Sequence, residues 1–522
     1  MTIHRLTALE LKAALDRREL SSVEIVDALI ARREAVEPII NAFVDRFDAA
    51  ARKEAVKADA ARARGESLGT LHGLPITIKE SMAITGTPST LGIVSRKSIL
   101  EPRDAVTVEL LKREGAIVLG KTNVPMLLLS HESNNPIWGR TVNPWNRTKS
   151  PGGSSGGESA AIAAGASPWG VGTDLGGSIR VPAAYTGIAG LKPTNDRWSN
   201  VRSYTALTGQ EVIRGQCGPM ARTAADVAYL FTAIDSPKHC ALDPAGLAIA
   251  TRAPDSIPLR GMRVGIILDD GFVSPSAAVR RAVERSAALL TSLGVEVVPF
   301  TPPRAGELME IYYGALSSDG GRTAKARVGD DPITTELREL LKAMKIPNPL
   351  RPAVAALLER RGEGRIARLI RVLREKPVEV YWQLTGRRSA FRLEVFDAMK
   401  AAGVSALIGP VHASPPMSHG DSADFVAAGS YSMYFNFLNF PAGTVPITRV
   451  RPDELRRDTT GRPNDRIEKK AVIVDAGSAG LPVGVQIAGL PNQDDVVLAL
   501  MVALEGAARS DSDFPTTPVD PT

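Results

Sequence analysis

Two short glycine-serine elements contain the residue types best suited to chemistry in this sequence. Gly152-Gly153-Ser154 and Gly176-Gly177-Ser178 both lie within the stretch 150–194. Glycine lets a backbone reach positive φ and lets other groups approach it closely. Glycine pairs directly before a serine therefore suit a loop whose N–H groups converge on one point, as an oxyanion hole requires. The pattern predicts a serine nucleophile served by backbone donors.

A flexible linker or a phosphate-binding loop would account for these two elements less well. A Gly/Ser linker does not account for the apolar run AAIAAGA (160–166) or for the strand-like GVGTDL (170–175) between them. A phosphate-binding loop would have the pattern G-x-x-x-x-G-K-[ST], and no lysine follows these glycines.

A serine nucleophile also needs a base, and Lys79 is a candidate. None of the six histidines lies inside the two loops, although a histidine distant in sequence can still be a neighbour in space. Lys79 ends the apolar run of GLPITIKES (73–81). Lysine becomes a base when burial or neighbouring groups lower its pKa enough for the neutral amine to form.

The elements that must position these residues alternate between strands and helices. Residues 7–35 predict two amphipathic helices, and SSVEI carries a capping-box pattern at the start of the second. An Ala/Arg/Glu-rich helix follows before residue 68. This alternation favours an α/β fold with a mostly parallel or mixed sheet. Predicted strands are ITIKE (76–80), AIVLGK (116–121), MRVGIIL (262–268), VEVVPF (295–300) and SALIGP (405–410), and predicted helices include 107–115 and 277–294.

Taken together, these motifs resemble the amidase-signature family. PITIKE, the GGSSGGES segment and GTDLGGSIRVPA stand in the order and at the spacing of that family. The resemblance implies one large α/β domain with a central twisted mixed sheet surrounded by helices. It implies a serine amidase that cleaves carboxamides through an acyl-serine intermediate, and it calls for no metal and no cofactor.

The resemblance also implies a role for each site residue. Ser178 corresponds to the nucleophile, Ser154 to the serine that follows a cis peptide bond and relays a proton, and Lys79 to the general base. The N–H groups of Leu175, Gly176, Gly177 and Ser178 correspond to the oxyanion donors. Thr173 either orients Ser154 or caps a strand, and Asp174 with Arg180 can brace the loop.

Within the family, the motifs are most similar to those of the branch that hydrolyses fatty acyl amides. STLG, TNVP, NNPIWGRTVNPW, SSDGGRT and YFNFLNFPAGTVPIT carry this likeness over residues 68–503, and Glu158 supports it. An apolar substrate pocket is implied, but its acyl preference is left open because the residues after TNVP differ. The implied substrate-binding residues are Met126, Leu128, Leu129, His131 and Thr173.

Composition limits the partners and the location. The 522 residues are 44% apolar and 23% charged, with 63 basic against 57 acidic side chains, so we expect no nucleic-acid partner. Two cysteines exclude a disulfide framework and indicate a reducing compartment. We expect no secretory signal, no membrane-spanning helix and a cytoplasmic enzyme with a small-molecule amide substrate. A homodimer is left open.

The expected organisation is an N-terminal helical segment (1–67) packed on the core, a catalytic domain (68–507) and a disordered tail (508–522) that is polar and Pro-rich. Residues 345–376 form an Arg-rich amphipathic pattern with two interpretations. The helix pair either packs its apolar stripe on the core or makes peripheral contact with an anionic membrane.

Three alternatives to a fatty amide hydrolase stay open. The same residues can cleave carbamates or anilides. A glutaminase subunit of a tRNA-amidating complex uses the same chemistry, although the apolar run after TNVP argues against a small polar substrate. A non-catalytic binding protein that keeps the fold is the third, and it would fail to react with a serine-directed fluorophosphonate.

Overall fold

An eleven-stranded mixed sheet runs through the protein, for which a computed structural model describes residues 2–522. The strands are β1 (Phe43–Arg46), β2 (Pro75–Lys79), β3 (Ile117–Thr122), β4 (Asn134–Asn135), β5 (Gly139–Arg140), β6 (Trp169–Asp174), β7 (Ala189–Lys192), β8 (Gln216–Ala221), β9 (Arg263–Ile266), β10 (Glu296–Pro299), β11 (Ala406–Pro410), β12 (Ala442–Arg449) and β13 (Pro482–Gly489). The order across the sheet is β1-β3-β2-β6-β8-β7-β12-β13-β11-β9-β10, and β4 and β5 form a separate hairpin.

Apart from the antiparallel edge strand β1, the sheet is parallel towards its two ends and antiparallel in between. β2 is parallel to both of its neighbours, β3 and β6, and β9 is parallel to both β10 and β11. The strands that lie between β6 and β11 in the sheet pair in antiparallel fashion. Because the carboxyl ends of parallel neighbours meet at one edge of a sheet, the ends of β2 and β6 lie side by side.

Helices surround this sheet, which confirms the predicted α/β fold class. The five predicted strands are also confirmed and correspond to β2, β3, β9, β10 and β11. The α-helices are α1 (Ala8–Asp16), α2 (Ser22–Ile40), α3 (Asp48–Ala63), α4 (Val106–Arg113), α5 (Gly156–Ala163), α6 (Arg180–Thr186), α7 (Ala224–Ala233), α8 (Ser236–Cys240), α9 (Ala277–Ser292), α10 (Ala305–Leu316), α11 (Arg322–Val328), α12 (Thr335–Met344), α13 (Arg351–Arg360), α14 (Gly364–Val372), α15 (Val378–Ala402), α16 (Ser422–Phe425), α17 (Ser430–Leu438), α18 (Arg466–Ala476) and α19 (Asp494–Ala508).

The N-terminal helices form as predicted. The Ser21 side chain accepts from the backbone of Glu24 while the Glu24 carboxylate accepts from the backbone of Ser21, which completes the capping box of α2. Leu11 and Ile25 are fully buried in the main hydrophobic core. β1 also comes from the first 67 residues, and its pairing with β3 joins this part of the chain to the sheet.

The C-terminal residues 508–522 differ from the disorder predicted by their composition. Phe514 is only 7% exposed and belongs to the main hydrophobic core. The Asp520 carboxylate lies 2.7 Å from the guanidinium of Arg32 on α2. A polar, Pro-rich composition predicts weak core formation, but one aromatic side chain and one ion pair hold this segment against the rest of the protein.

The Arg-rich residues 345–376 form the helix pair α13 and α14, and α14 packs against α10. The Arg365 side chain is buried, and its Nε donates to Asp465 Oδ2 over 2.6 Å. Arg351 is also buried and donates to the Ile370 carbonyl over 2.8 Å. The Arg365 contact and the packing of α14 on α10 place the inner face of the pair against the protein, and the Arg351 contact ties α13 to α14.

The outer face of the pair leaves apolar side chains in solvent. Leu350, just before α13, is 55% exposed, and Leu357 on α13 is 49% exposed. Across residues 2–522, no helix combines the length and the apolar character needed to cross a bilayer.

Candidate active site

Lys79 lies at the carboxyl end of β2, between β3 and β6, and its side chain is fully buried. Its Nζ donates to Ser154 Oγ over 2.7 Å and to Thr173 Oγ1 over 2.8 Å. A longer contact of 3.3 Å reaches the Thr173 carbonyl. The strand therefore delivers the amine to two hydroxyl groups on neighbouring elements.

The burial of Lys79 changes its protonation. Loss of solvent disfavours the ammonium form and lowers the Lys79 pKa to about 7, even though the Asp174 carboxylate acts in the opposite direction. A large share of this side chain is consequently a neutral amine near neutral pH. A neutral amine can accept a proton from a hydroxyl group that it contacts.

Ser154 lies in the glycine-rich loop that leads into α5. The peptide bond between Gly153 and Ser154 is cis. A Cβ on Gly153 would stand 2.2 Å from the Glu132 carbonyl oxygen, so only glycine fits this position. The next residue, Ser155, donates its backbone N–H to the Ser178 carbonyl over 3.1 Å and ties the two glycine-serine loops together.

Ser178 lies in the turn between β6 and α6, and 8% of the residue is accessible. Asp174, at the end of β6, organises this turn. Its carboxylate accepts from the backbone N–H groups of Gly177 and Ile179 over 2.8 and 3.1 Å and from Arg180 Nε over 3.0 Å. Asp174 and Arg180 thus form the buried ion pair anticipated from the sequence.

The electrostatics of this pair keep Asp174 ionised. Burial alone would raise the Asp174 pKa, but the adjacent Arg180 charge and the Asn436 amide hold that pKa well below its usual range. The carboxylate is therefore a fixed acceptor for the turn rather than a group that exchanges protons near neutral pH.

The predicted oxyanion donors differ in their surroundings. Among contacts within residues 2–522, the N–H groups of Leu175, Gly176 and Ser178 have no acceptor. The Gly177 N–H, also predicted to be an oxyanion donor, instead donates to the Asp174 carboxylate over 2.8 Å. The sequence does not predict this hydrogen bond, because it depends on how the Asp174 carboxylate, at the end of β6, turns back over the residues that follow it.

Two cavities meet at Ser178. The smaller, about 70 Å³, is bounded by both serines and by Thr173. The larger, about 500 Å³, extends from Ser178 towards α10, α12 and α14 and is mostly apolar. Its apolar lining includes Leu128, Leu129, Leu175, Leu207, Tyr312, Tyr313, Leu316, Ile366, Leu369, Leu373 and Met433.

Most of the residues predicted to bind substrate lie on these cavities. Leu128 and Leu129 line both, His131 lines the larger and Thr173 the smaller. Met126 is the exception: it is buried away from both, and Leu127 lines the smaller cavity instead. The chain adopts positive φ at both Leu127 and Leu128, so the backbone turns where the lining residues begin.

Sequence reasoning missed two side chains at the serine loop. Tyr312 Oη donates to the Leu175 carbonyl over 3.0 Å from a position 137 residues away. Asn436 Nδ2 donates to Asp174 Oδ1 over 2.9 Å. Tyr312 precedes the motif 317–323 and Asn436 lies within the motif 434–448, but a linear pattern does not give the partner of a distant side chain.

Glu158 is a further buried group next to the site. It accepts from Thr122 Oγ1 over 2.7 Å and also from the Thr77 hydroxyl, and burial raises the Glu158 pKa to about 7. Within residues 2–522, no three His, Cys, Asp or Glu side chains gather where they could share a metal ion.

Comparisons with known proteins show which family this chain belongs to. A family profile described as amidase matches residues 24–498. Fatty-acid amide hydrolase 1 of Sus scrofa is 34% identical over 443 residues, which cover 84% of this chain and 76% of that protein. A glutamyl-tRNA(Gln) amidotransferase subunit of Streptomyces coelicolor is 37% identical over 342 residues, covering 63% of this chain and 67% of that one.

Among solved structures, a fatty acid amide hydrolase superposes with a TM-score of 0.86 at 28% sequence identity. The superposition covers 98% of this chain and 86% of that chain. The chain therefore belongs to the amidase family, and it is an amide hydrolase.

Proposed function

We propose that this enzyme hydrolyses lipophilic carboxylic amides through an acyl-serine intermediate, with Ser178 as nucleophile, Ser154 as proton relay and Lys79 as general base. The observation that carries the proposal is the 2.7 Å contact between the buried Lys79 amine and Ser154 Oγ. A lysine with a pKa of about 7 is matched to proton transfer near neutral pH.

The proposed reaction begins with neutral Lys79. It takes a proton from Ser154 while Ser154 takes one from Ser178, whose oxygen attacks the amide carbon. The free N–H groups of Leu175, Gly176 and Ser178 would receive the oxyanion. The proton then returns to the leaving nitrogen, the C–N bond breaks, and an ester to Ser178 remains.

Water completes the proposed cycle. It attacks the ester carbonyl, its proton passes through Ser154 to Lys79, and a second oxyanion forms at the same N–H groups. Its collapse returns a proton to Ser178 and releases the carboxylic acid.

The two cavities support a division of the substrate at Ser178. We assign the acyl chain to the larger cavity, because its volume of about 500 Å³ and its leucine-rich lining suit an extended apolar group. The leaving amine or ammonia is assigned to the smaller cavity, which Ser154 borders and where the leaving nitrogen must be protonated.

Carbamates and anilides fit the same proposed chemistry. Similarity to a glutamyl-tRNA(Gln) amidotransferase subunit keeps a glutaminase as a second candidate, but the apolar lining favours a lipophilic substrate over glutamine.

We infer a cytoplasmic enzyme, with the exposed leucines of the α13–α14 pair as the surface for any peripheral membrane contact.

The test is hydrolysis of acetamide, hexanamide and oleamide by the wild-type enzyme and by Lys79→Ala. We expect kcat/KM to rise with chain length and to collapse in the variant. A preference for acetamide or glutamine would contradict the lipophilic substrate, and full activity of Lys79→Ala would contradict the mechanism.

A further inference from the structure

Three successive carbonyls before Ser178, those of Asp174, Leu175 and Gly176, are each held by a side chain from elsewhere in the chain. Asn436 Nδ2 donates to the Asp174 carbonyl over 3.2 Å, and Tyr312 Oη donates to the Leu175 carbonyl over 3.0 Å. His131 Nε2 lies 3.0 Å from the Gly176 carbonyl, and because a carbonyl only accepts, this nitrogen carries the proton.

A hydrogen bond to a backbone carbonyl also fixes the direction in which the N–H group of the next residue points. The peptide unit is planar and trans, so its C=O and N–H point in opposite directions. The Tyr312 contact therefore sets the direction of the Gly176 N–H, one of the free donors. The His131 contact sets the Gly177 N–H, which the Asp174 carboxylate holds from the other side.

The two contacts depend on glycines that leave room for them. A Cβ on Gly176 would stand 2.6 Å from Tyr312 Oη. A Cβ on Gly429, behind the histidine, would stand 2.5 Å from His131 Cε1. Both rings are packed into these spaces, with Tyr312 3% and His131 4% exposed.

The protonation of both donors is fixed by their burial. Burial raises the pKa of the Tyr312 phenol well above its usual value, so the hydroxyl keeps its proton. Burial lowers the pKa of His131, so the ring stays neutral and presents one N–H. His131 Nδ1 has no partner in residues 2–522, which leaves the Gly176 carbonyl as the polar contact that accounts for the ring's position.

We propose that Tyr312 is a positioning residue that holds the Gly176 N–H in the orientation needed to stabilise the oxyanion, and that His131 positions the next peptide, whose N–H anchors the same turn to Asp174. The inference rests on the proposed function, since it concerns the same tetrahedral intermediate. Neither side chain transfers a proton in the reaction; each acts through the backbone that it holds.

Tyr312→Phe is the first variant, because it removes one hydroxyl and keeps the ring. Tyr434→Phe is its matched control: this phenol is equally buried, its hydroxyl has no hydrogen-bond partner within residues 2–522, and it lines neither cavity at Ser178. We expect Tyr312→Phe to lower kcat for oleamide about tenfold, less than the loss of an oxyanion donor itself, with KM unchanged. Tyr434→Phe should stay within about twofold of the wild type.

His131 supplies an independent test by rescue. His131→Leu removes the donor, whereas His131→Gln offers an amide N–H at a similar reach. We expect kcat to fall about tenfold in the leucine variant and to return to within about threefold of the wild type in the glutamine variant.

The pH profile separates positioning from loosened packing. Loosened packing would admit water to Lys79, raise its pKa and move the acid limb of kcat/KM to higher pH. We expect the variants at all three positions to leave that limb near pH 7. Equal activity of Tyr312→Phe and Tyr434→Phe, or a displaced limb, would overturn the inference. Full activity of Lys79→Met in the same series would instead contradict the proposed function.

Discussion

Lys79 and Lys192 are both fully buried lysines at the ends of strands, β2 and β7, of the same sheet. Burial lowers the pKa of each to about 7. Their partners differ: Lys79 donates to two hydroxyls, while Lys192 donates over 2.8 Å to the carbonyl of Pro193. A carbonyl has no proton to give. Burial therefore supplies a neutral amine at both positions, and only the hydroxyl partner makes the Lys79 amine a candidate base.

Replacing each lysine by methionine gives the largest expected contrast. Lys79→Met should lower kcat/KM for oleamide on the order of a thousandfold, because a general base contributes that much. Lys192→Met should stay within about tenfold, since methionine fills a similar volume and only one hydrogen bond is lost. Thermal unfolding of both variants controls for stability. Equal losses of activity in the two variants would contradict a special role for Lys79.

Ser154→Ala tests whether the hydroxyl partner matters. We expect kcat to fall about a hundredfold because the proton path from Ser178 is interrupted. The matched control is Ser155→Ala, whose hydroxyl makes only 3.4 Å contacts with the Thr173 backbone. If the two alanine variants lose the same activity, the relay role of Ser154 is wrong.

The apolar cavity is a second region, and changing it should alter substrate choice without altering the chemistry. Leu369 lines the larger cavity, so Leu369→Trp should lower kcat/KM for oleamide about tenfold and leave acetamide unaffected. The exposed Leu357, changed to tryptophan, is the control. Loss of acetamide hydrolysis in Leu369→Trp would show that the two regions are not separate.

The smallest effect is expected at the second hydroxyl acceptor of Lys79. Thr173→Val removes an acceptor that favours the ammonium form, so the Lys79 pKa should fall and the acid limb should move below pH 7. We expect kcat on the plateau to drop about fivefold. A limb that moves to higher pH would contradict this account of the Lys79 surroundings.

The α/β class, five of the eleven strands of the sheet and the candidate residues Lys79, Ser154 and Ser178 could be predicted from the sequence, because each rests on local pattern. A strand that ends in lysine and glycine pairs that precede serines are visible in the linear order. The engagement of Gly177 by Asp174, the exclusion of Met126 and the roles of Tyr312 and Asn436 depend on turns and on contacts between distant residues. The order of residues 508–522 also depends on distant contacts, because Phe514 packs in the main core and Asp520 pairs with Arg32 although the composition is typical of disorder.

The most direct test of the central proposal is the pH dependence of Ser178 labelling by a fluorophosphonate, measured between pH 5 and 9 in the wild type and in Lys79→Met. Neutral Lys79 is the proposed active form, and its fraction falls about tenfold for each pH unit below the pKa of about 7. We predict a labelling rate that falls in this way below pH 7 and reaches a plateau above it. In Lys79→Met the rate should be low and the limb absent. A limb near pH 7 that persists in Lys79→Met would contradict the account.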